Sequence, residues 1–321
     1  MPEIQDDKAP YVVPFILERL TIHQQRHSQD ANPPPFFIGL NGVQGAGKSV
    51  LVEVLKSALS SPPHALPTVV FSLDDLYLTH RDQVALAESH PDNPLVQHRG
   101  QPSTHDIPLA LAVFSNLKQN RRTKIPQYNK AAFNGQGDRV PESEWEEVNC
   151  DPHTDPVRVV LFEGWCVGFR PLSPSTLKSK HEAAVAAARD PHTHYVGRLG
   201  HHTLQSLTDI NEALRQYDAI TDQLDAFIHI DAADPQYVYQ WRLQQEKDLW
   251  EKKGSGMTDE QVRKFVDDYY PAYELYTDTL RSGVFRPAPE AGVDHGSVQR
   301  RGRQLRLVVG EDRKVRDVIR L

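Results

Sequence analysis

The most constraining feature of the sequence is a glycine-rich segment that directly follows a short apolar run at residues 36–40. The segment consists of Gly42, Val43, Gln44, Gly45, Ala46, Gly47, Lys48 and Ser49. A G-x-x-x-x-G-K-[ST] pattern between a strand and a helix forms a loop whose backbone N–H groups surround phosphate oxygens. Lys48 adds a full positive charge at the β- and γ-phosphates, and the Ser49 hydroxyl is placed to hold Mg²⁺. The sequence therefore predicts a nucleotide phosphate site at residues 42–49.

Short apolar runs alternate along the chain with segments of helical spacing. Runs typical of strands buried on both faces lie at 36–40, 68–72, 157–162, 226–230 and 305–309. Segments whose apolar residues recur at helical spacing lie at 48–59, 107–117, 204–224 and 236–250. This alternation predicts an α/β fold in which a parallel sheet carries helices on both faces.

The same pattern predicts one large domain, because the strand and helix signals resume after each polar stretch. The expected parts are an N-terminal helix at 10–28, a nucleotide-binding core at 36–172, a polar insertion at 173–202, a lid hairpin of two helices at about 234–280, and a C-terminal strand and helix at 304–321. A second polar stretch at 282–303 is also expected to be a surface insertion.

Composition limits the partners that such a chain can have. The 36 Lys and Arg residues against 43 Asp and Glu residues leave a net charge of −7, which argues against nucleic acid and against an anionic membrane surface. Only two cysteines occur, Cys150 and Cys166, and the first residues lack the layout of a secretory signal. We expect a cytoplasmic protein, with the nucleus not excluded, whose partner is a small molecule. The oligomeric state is left open.

Acidic residues stand at the ends of two predicted strands. Asp74 and Asp75 follow the run at 68–72, and Glu163 follows the run at 157–162. In an open α/β sheet the ligand binds at the carboxyl ends of the strands, so these acids point towards the phosphate loop. Phosphoryl transfer to a hydroxyl uses one carboxylate for the proton and another near Mg²⁺. Capping of a helix or turn is the alternative for the Asp pair, and one of the two can be functional while the other caps.

Other polar residues are compatible with either a structural or a functional role. Asp106 precedes a helical segment and is as compatible with an N-cap as with a substrate contact. The basic cluster at 121–124 favours a solvated surface. Arg242 and Lys247 lie on the helix before the Gly254-Ser255-Gly256 tip, where they form either a solvated face or a mobile arm that closes over the phosphates.

Several motifs together carry a family resemblance. They are Asp74-Asp75-Leu76-Tyr77, Arg99-Gly100 ahead of His105-Asp106, Tyr128-Asn129-Lys130 ahead of Gly137-Asp138-Arg139, and Glu163-Gly164-Trp165. With the phosphate loop, they make the chain resemble the P-loop kinases of small metabolites typified by phosphoribulokinase, uridine kinase and pantothenate kinase. Within that group the chain is most similar to the plant-type D-glycerate 3-kinases and their fungal relatives. The resemblance implies a P-loop NTPase fold with a helical lid.

The resemblance also implies roles for individual residues. Asp74 would be the catalytic base, and Lys48 and Arg242 would stabilise the transferring phosphoryl group, Arg242 from the lid. Ser49, Asp74 and Glu163 would surround Mg²⁺. The acceptor side would be lined by Tyr77, Arg99, His105, Tyr128, Lys130 and Arg139.

The expected function is ATP- and Mg²⁺-dependent phosphorylation of a small, anionic hydroxyl acceptor. On the resemblance, D-glycerate is the leading acceptor and 3-phosphoglycerate the product. Two alternatives stay open: a kinase of another small alcohol, such as a nucleoside or a pantothenate-like compound, and a non-metabolic ATPase switch or assembly factor.

Overall fold

A computed structural model describes residues 6–151, 153–254, 256–286 and 302–321 of the chain. Its helices are α1 (Ala9–Arg26), α2 (Lys48–Ser60), α3 (His80–Ser89), α4 (Ile107–Lys118), α5 (Pro174–Arg189), α6 (Leu204–Leu214), α7 (Asp218–Thr221), α8 (Tyr237–Lys253) and α9 (Asp259–Ser282). Its strands are β1 (Phe36–Gly42), β2 (Thr68–Ser72), β3 (Thr123–Ile125), β4 (Tyr128–Asn129), β5 (Asp138–Arg139), β6 (Glu146–Val148), β7 (Val159–Gly164), β8 (Ala226–Ala232), β9 (Gln304–Val309) and β10 (Val315–Arg320).

The centre of the described structure is a six-stranded sheet with the order β10-β9-β8-β1-β7-β2. The strands β2, β7, β1, β8 and β9 run parallel, and β10 pairs antiparallel with β9 at one edge. Every residue of β1 and β8 is buried, which explains why these strands appear in the sequence as uninterrupted apolar runs. The predicted parallel sheet is confirmed.

Adjacent residues of β1 show that helices cover both faces of the sheet. Phe36 and Phe37 point to opposite faces because side chains alternate along a strand. The ring of Phe36 lies 5.4 Å from that of His23 in α1, and the ring of Phe37 stacks at 5.0 Å on Phe114 in α4. The core therefore has two layers, one on each side of β1, as the sequence pattern predicts.

The C-terminal segment differs from the expectation. We predicted a strand and a helix at 304–321, but the structure has the antiparallel hairpin of β9 and β10. The chain reverses at Gly310–Lys314, where Arg313 has a φ of +63° and Gly310 N donates to Lys314 O. A segment this short gains little from helix formation alone, whereas pairing with β9 satisfies backbone groups along the whole strand. The prediction of a C-terminal helix is therefore wrong.

The segment predicted to be a lid hairpin contains α8 and α9, which pack against each other. As the sequence indicates, α9 begins with a capping box in which Thr258 and Gln261 exchange hydrogen bonds. The polar insertion at 173–202 contains α5, and its final loop is bound to α9. There the Glu274 carboxylate accepts hydrogen bonds from Arg198 N and Leu199 N at 2.8 Å each. The insertion is therefore fixed to α9.

Of the second predicted insertion at 282–303, residues 287–301 lie outside the described residues. Within the described residues, none of the helices combines the length and the apolar character that crossing a bilayer requires.

Candidate active site

The glycine-rich loop connects β1 to α2, in the strand-to-helix position that its motif predicts. Gly45 and Gly47 have φ angles of +81° and +95°, which side chains with a Cβ atom rarely adopt. A Cβ atom on Gly45 would also lie 2.5 Å from Cβ of Trp241 in α8. Glycine is therefore required at position 45 both by the turn and by the close approach of the lid helix. The rest of the loop comprises Gly42, Val43, Gln44 and Ala46, and Lys48 and Ser49 open α2.

The Lys48 ammonium is turned back towards the loop. It donates hydrogen bonds to Gly42 O at 2.7 Å and to Val43 O at 3.3 Å. Burial lowers the pKa of Lys48, and the carboxylates of Glu163 and Asp74 act in the opposite direction. Lys48 and the two acids at the strand ends therefore belong to one electrostatic cluster.

The two acids that follow β2 have different partners. Asp75 accepts hydrogen bonds from Ser72 N at 3.1 Å and from Tyr128 N at 3.3 Å, so it joins the end of β2 to β4. Burial raises the pKa of Asp75 to about 6. Asp75 is thus the capping residue that the sequence analysis considered. The Asp74 carboxylate does not take part in this cap.

Asp74 faces a cation from the acceptor side. Its Oδ2 atom lies 2.6 Å from Lys130 Nζ, and its buried Oδ1 atom has no hydrogen-bond partner among the described residues. Burial alone would raise the pKa of Asp74, but Lys130, with support from His105 and Lys48, lowers it below its usual value. At neutral pH the side chain is therefore an ionised carboxylate with one oxygen available.

Glu163 lies on β7, beside Leu40 of β1 and Ser72 of β2. The following Gly164 is packed closely, since a Cβ atom there would lie 2.8 Å from Leu73 Cβ. No cluster of three or more His, Cys, Asp or Glu side chains able to hold a metal ion occurs in the described part of the chain. Magnesium is commonly held by one or two carboxylates together with phosphate oxygens and water, so the carboxylates of Asp74 and Glu163 with the Ser49 hydroxyl suit it chemically.

The three rings that the sequence analysis assigned to the acceptor side, those of Tyr77, His105 and Tyr128, pack against one another. A backbone bridge joins Tyr77 to His105, and their rings stack with centroids 4.5 Å apart. Tyr128 meets Tyr77 edge-on at 5.4 Å. Burial lowers the pKa of His105 to about 4, although Asp74 opposes this shift. The imidazole is therefore neutral at physiological pH.

The two predicted acceptor-side arginines are occupied by protein groups. Arg99 donates to Gly135 O at 2.7 Å and also to Gln136 O and Lys130 O, so it holds the loop that carries Lys130. Arg139 donates to Tyr77 O at 2.9 Å and pairs with Asp106 at 3.1 Å. Asp106 in turn caps α4 by accepting from Leu109 N. Both arginines therefore hold neighbouring backbone segments, and Lys130 is the predicted cation in contact with Asp74.

Arg242 lies on α8, next to Trp241 and its contact with Gly45. Its guanidinium pairs with Glu246 at 3.0 Å and lies 5.2 Å from the centre of the Phe265 ring. In this structure Arg242 thus contacts its own helix and α9.

The chain is similar in sequence and in structure to several known kinases. The chain is 39% identical to the uncharacterized kinase mug58 of Schizosaccharomyces pombe over 252 residues, which are 78% of this chain and 84% of that protein. It is 34% identical over 278 residues to the chloroplastic D-glycerate 3-kinase of Arabidopsis thaliana, of which it covers 54%. A solved structure of D-glycerate 3-kinase from Cryptococcus neoformans superposes with a TM-score of 0.85 at 35% identity, covering 99% of this chain and 100% of that one.

The chain belongs to the kinase family that contains mug58 and the D-glycerate 3-kinases. No protein-family model matches it. The membership confirms the predicted P-loop kinase fold and the prediction of an ATP-dependent small-molecule kinase. The phosphate loop and the acids that follow the strands therefore lie in the chain of a kinase.

The sequence analysis missed two further cations near the phosphate loop of the kinase, Arg313 and Lys8. Arg313, from the turn between β9 and β10, is 8% exposed and donates to Gly45 O at 2.7 Å and to Gln244 Oε1 at 2.8 Å. Lys8, which is 2% exposed, donates to Arg313 O at 2.9 Å. No local motif surrounds either residue, and they lie 305 positions apart in the chain. Together they connect both chain ends to the phosphate loop and to the lid helix of the kinase.

Proposed function

We propose that the kinase transfers the γ-phosphoryl group of ATP to a hydroxyl of D-glycerate and releases 3-phosphoglycerate and ADP. The observation that carries this proposal is the ionised Asp74 at the end of β2, with one carboxylate oxygen free and the other against Lys130. Relatives named D-glycerate 3-kinase support the choice of acceptor.

In the proposed mechanism the phosphate loop binds the nucleotide. The backbone N–H groups of residues 42–49 and the N-terminus of α2 surround the phosphate oxygens. Lys48 exchanges its contacts with Gly42 O and Val43 O for the β- and γ-phosphates. Before ATP binds, the loop carbonyls thus keep the buried Lys48 ammonium hydrogen-bonded.

Asp74 receives the proton of the acceptor. A new bond forms between the hydroxyl oxygen and the γ-phosphorus, while the bond from that phosphorus to the β–γ bridging oxygen breaks. The hydroxyl proton moves to the Asp74 carboxylate, and ADP leaves. Because Lys130 keeps Asp74 ionised, the carboxylate is ready to accept the proton at neutral pH.

Mg²⁺ would be held by the Ser49 hydroxyl and by the carboxylates of Asp74 and Glu163. When bound, the ion neutralises charge that develops on the phosphate oxygens.

Glycerate is an anion, and the acceptor side offers it a cation and neutral donors. Lys130 is more than half exposed at its side chain, so it is able to contact a carboxylate while it stays near Asp74. The Nε atom of Arg139 and the Nε2 atom of His105 are buried without hydrogen-bond partners among the described residues. A carboxylate or hydroxyl oxygen of the substrate would satisfy such groups. Arg242 completes the site by leaving Glu246 when the lid closes over the phosphates.

The test is a coupled assay of ADP release with D-glycerate, L-glycerate, other hydroxy acids, sugars, nucleosides and pantothenate. The proposal expects turnover with D-glycerate and a 3-phosphorylated product by phosphorus NMR. A preference for a nucleoside or for pantothenate would replace the proposed acceptor. ADP release that no acceptor stimulates would favour an ATPase switch. As a control, Asp74→Asn should abolish transfer while the protein still binds ATP.

A further inference from the structure

A tyrosine from a distant part of the chain contacts His105. Tyr217 lies in the short segment between α6 and α7, 112 residues away in sequence, and its hydroxyl lies 2.7 Å from His105 Nδ1. Both residues are buried, with 5% of Tyr217 and 4% of His105 exposed. Tyr217 belongs to none of the motifs that the sequence analysis identified.

The hydrogen bonds around this hydroxyl determine where its proton points. Ser103 N donates to the Tyr217 oxygen at 3.2 Å, so one lone pair of that oxygen is already used. Among the described residues, His105 Nδ1 is the acceptor within reach of the hydroxyl proton. If Nδ1 carried the proton instead, two buried groups would lack partners among the described residues, the Tyr217 hydroxyl proton and the Nε2 lone pair, whereas the other tautomer leaves only the Nε2–H group unpaired. The tyrosine therefore donates, and Nδ1 is the unprotonated nitrogen.

A neutral imidazole that is unprotonated at Nδ1 carries its proton on Nε2. The Nε2 atom of His105 is buried and has no partner among the described residues. The ring is held flat against Tyr77, and its charge state responds to Asp74, so it borders the acceptor side of the site. The Nε2–H group therefore has a fixed direction and lacks an acceptor among the described residues.

We propose that Tyr217 is a positioning residue that holds His105 in its Nε2–H tautomer, so that this ring donates a hydrogen bond to an oxygen of the acceptor. The inference about substrate rests on the proposed function, since it requires an oxygen-rich acceptor such as a hydroxy acid. The inference about the tautomer concerns the free protein and stands separately. A fixed donor selects a hydroxyl or carboxylate oxygen and disfavours a protonated amine at the same place.

The first test measures the tautomer directly, without turnover. The protein has 15 histidines, so ¹⁵N-histidine labelling with a His105→Gln variant assigns the His105 ring signals. We expect a protonated Nε2 and an unprotonated Nδ1 in the free kinase, and a mixture of tautomers in Tyr217→Phe. A protonated Nδ1 in the unsubstituted protein would overturn the proposal, whatever the substrate proves to be.

The second test is kinetic. Tyr217→Phe should lower kcat/KM for D-glycerate about tenfold through KM, with KM for ATP unchanged. Tyr195→Phe is the matched control, because its hydroxyl also accepts a backbone N–H, from Gly200, and donates to a side chain, Glu274, away from the acceptor rings. In a His105→Gln background, where an amide supplies the donor, Tyr217→Phe should cost nothing more. A full tenfold loss in that background would show that Tyr217 does not act through His105.

Inactivity of the unsubstituted protein with D-glycerate would refute the proposed function and leave the NMR test intact.

Discussion

Lys130 Nζ lies 2.6 Å from Asp74 Oδ2 and joins a half-exposed lysine to a carboxylate at the end of a buried strand. The lysine lies on a loop that Arg99 holds through three carbonyl groups, so the state of Asp74 depends on the position of that loop. One loop therefore supplies both the charge that keeps the proposed base ionised and a cation for the acceptor.

Removing this lysine should change the pH dependence of the reaction. Burial raises the pKa of Asp74, and the charge of Lys130 is the largest influence that lowers it. Lys130→Met removes that charge, so the pKa of Asp74 should rise. The acid limb of kcat/KM should therefore move to higher pH. The measurement is a pH–rate profile with D-glycerate. Lys124→Met, which removes a lysine paired with Glu142 on the surface, is the control. An acid limb in the same place would contradict the role of Lys130.

Asp75 should make stability depend on pH. Its folded-state pKa of about 6 lies above the ordinary value of 3.8, so its favourable contribution is fully present below about pH 3.8 and is lost as the pH rises through 6. Asp75→Asn lacks the titrating group. The stability of this variant relative to the unsubstituted protein should therefore increase between pH 4 and pH 7 in urea unfolding experiments. Asp82→Asn, at an exposed position on α3, provides the comparison. A constant difference across this range would show that burial does not shift the pKa of Asp75.

Arg313 should be important for both stability and nucleotide binding. It joins the phosphate loop to α8 through Gly45 O and Gln244, and its guanidinium lies 5.4 Å from the Trp241 ring. Arg313→Met should lower the free energy of unfolding by about 2–3 kcal/mol and weaken ATP binding, since hydrogen bonds from a buried charge are lost. Calorimetric titration with ATP and urea unfolding measure these effects.

The same hairpin offers a matched control for this change. Arg316 is 56% exposed at its side chain and pairs with Asp312 at 2.8 Å. Exposed ion pairs contribute little, so Arg316→Met should change stability by less than about 1 kcal/mol. Equal effects of the two substitutions would argue that Arg313 acts only as a surface charge.

Arg242 should affect turnover more than nucleotide binding. If it leaves Glu246 to approach the transferring phosphoryl group, Arg242→Met should lower kcat about 100-fold or more and change ATP affinity by only a few-fold. Lys247→Met removes an exposed cation from the same helix and should leave kcat nearly unchanged. Single-turnover kinetics separate the chemical step from product release. A kcat that Arg242→Met does not reduce would remove this residue from the proposed mechanism.

The parts of the fold that the sequence predicted are those with local signals. The buried strands β1, β7 and β8 have continuous apolar runs, whereas the apolar runs of β2 and β9 form strands in which buried residues alternate with half-buried ones. The capping box at Thr258 marks the start of α9 because its hydrogen bonds join residues three positions apart. The strand β10 has no such signal, since its partly exposed residues pair with β9 across a turn.

For the site, the sequence alone determined the phosphate loop and the acids that follow two strands. These features are set by short-range geometry, namely positive φ angles at glycine, a helix N-terminus, and the place where a strand ends. Only the tertiary structure decided which acid caps and which faces Lys130, that Arg99 and Arg139 hold acceptor loops, and that Arg313 and Tyr217 reach the site. Those assignments depend on hydrogen bonds between residues that lie far apart in the chain, and such partners are chosen by packing.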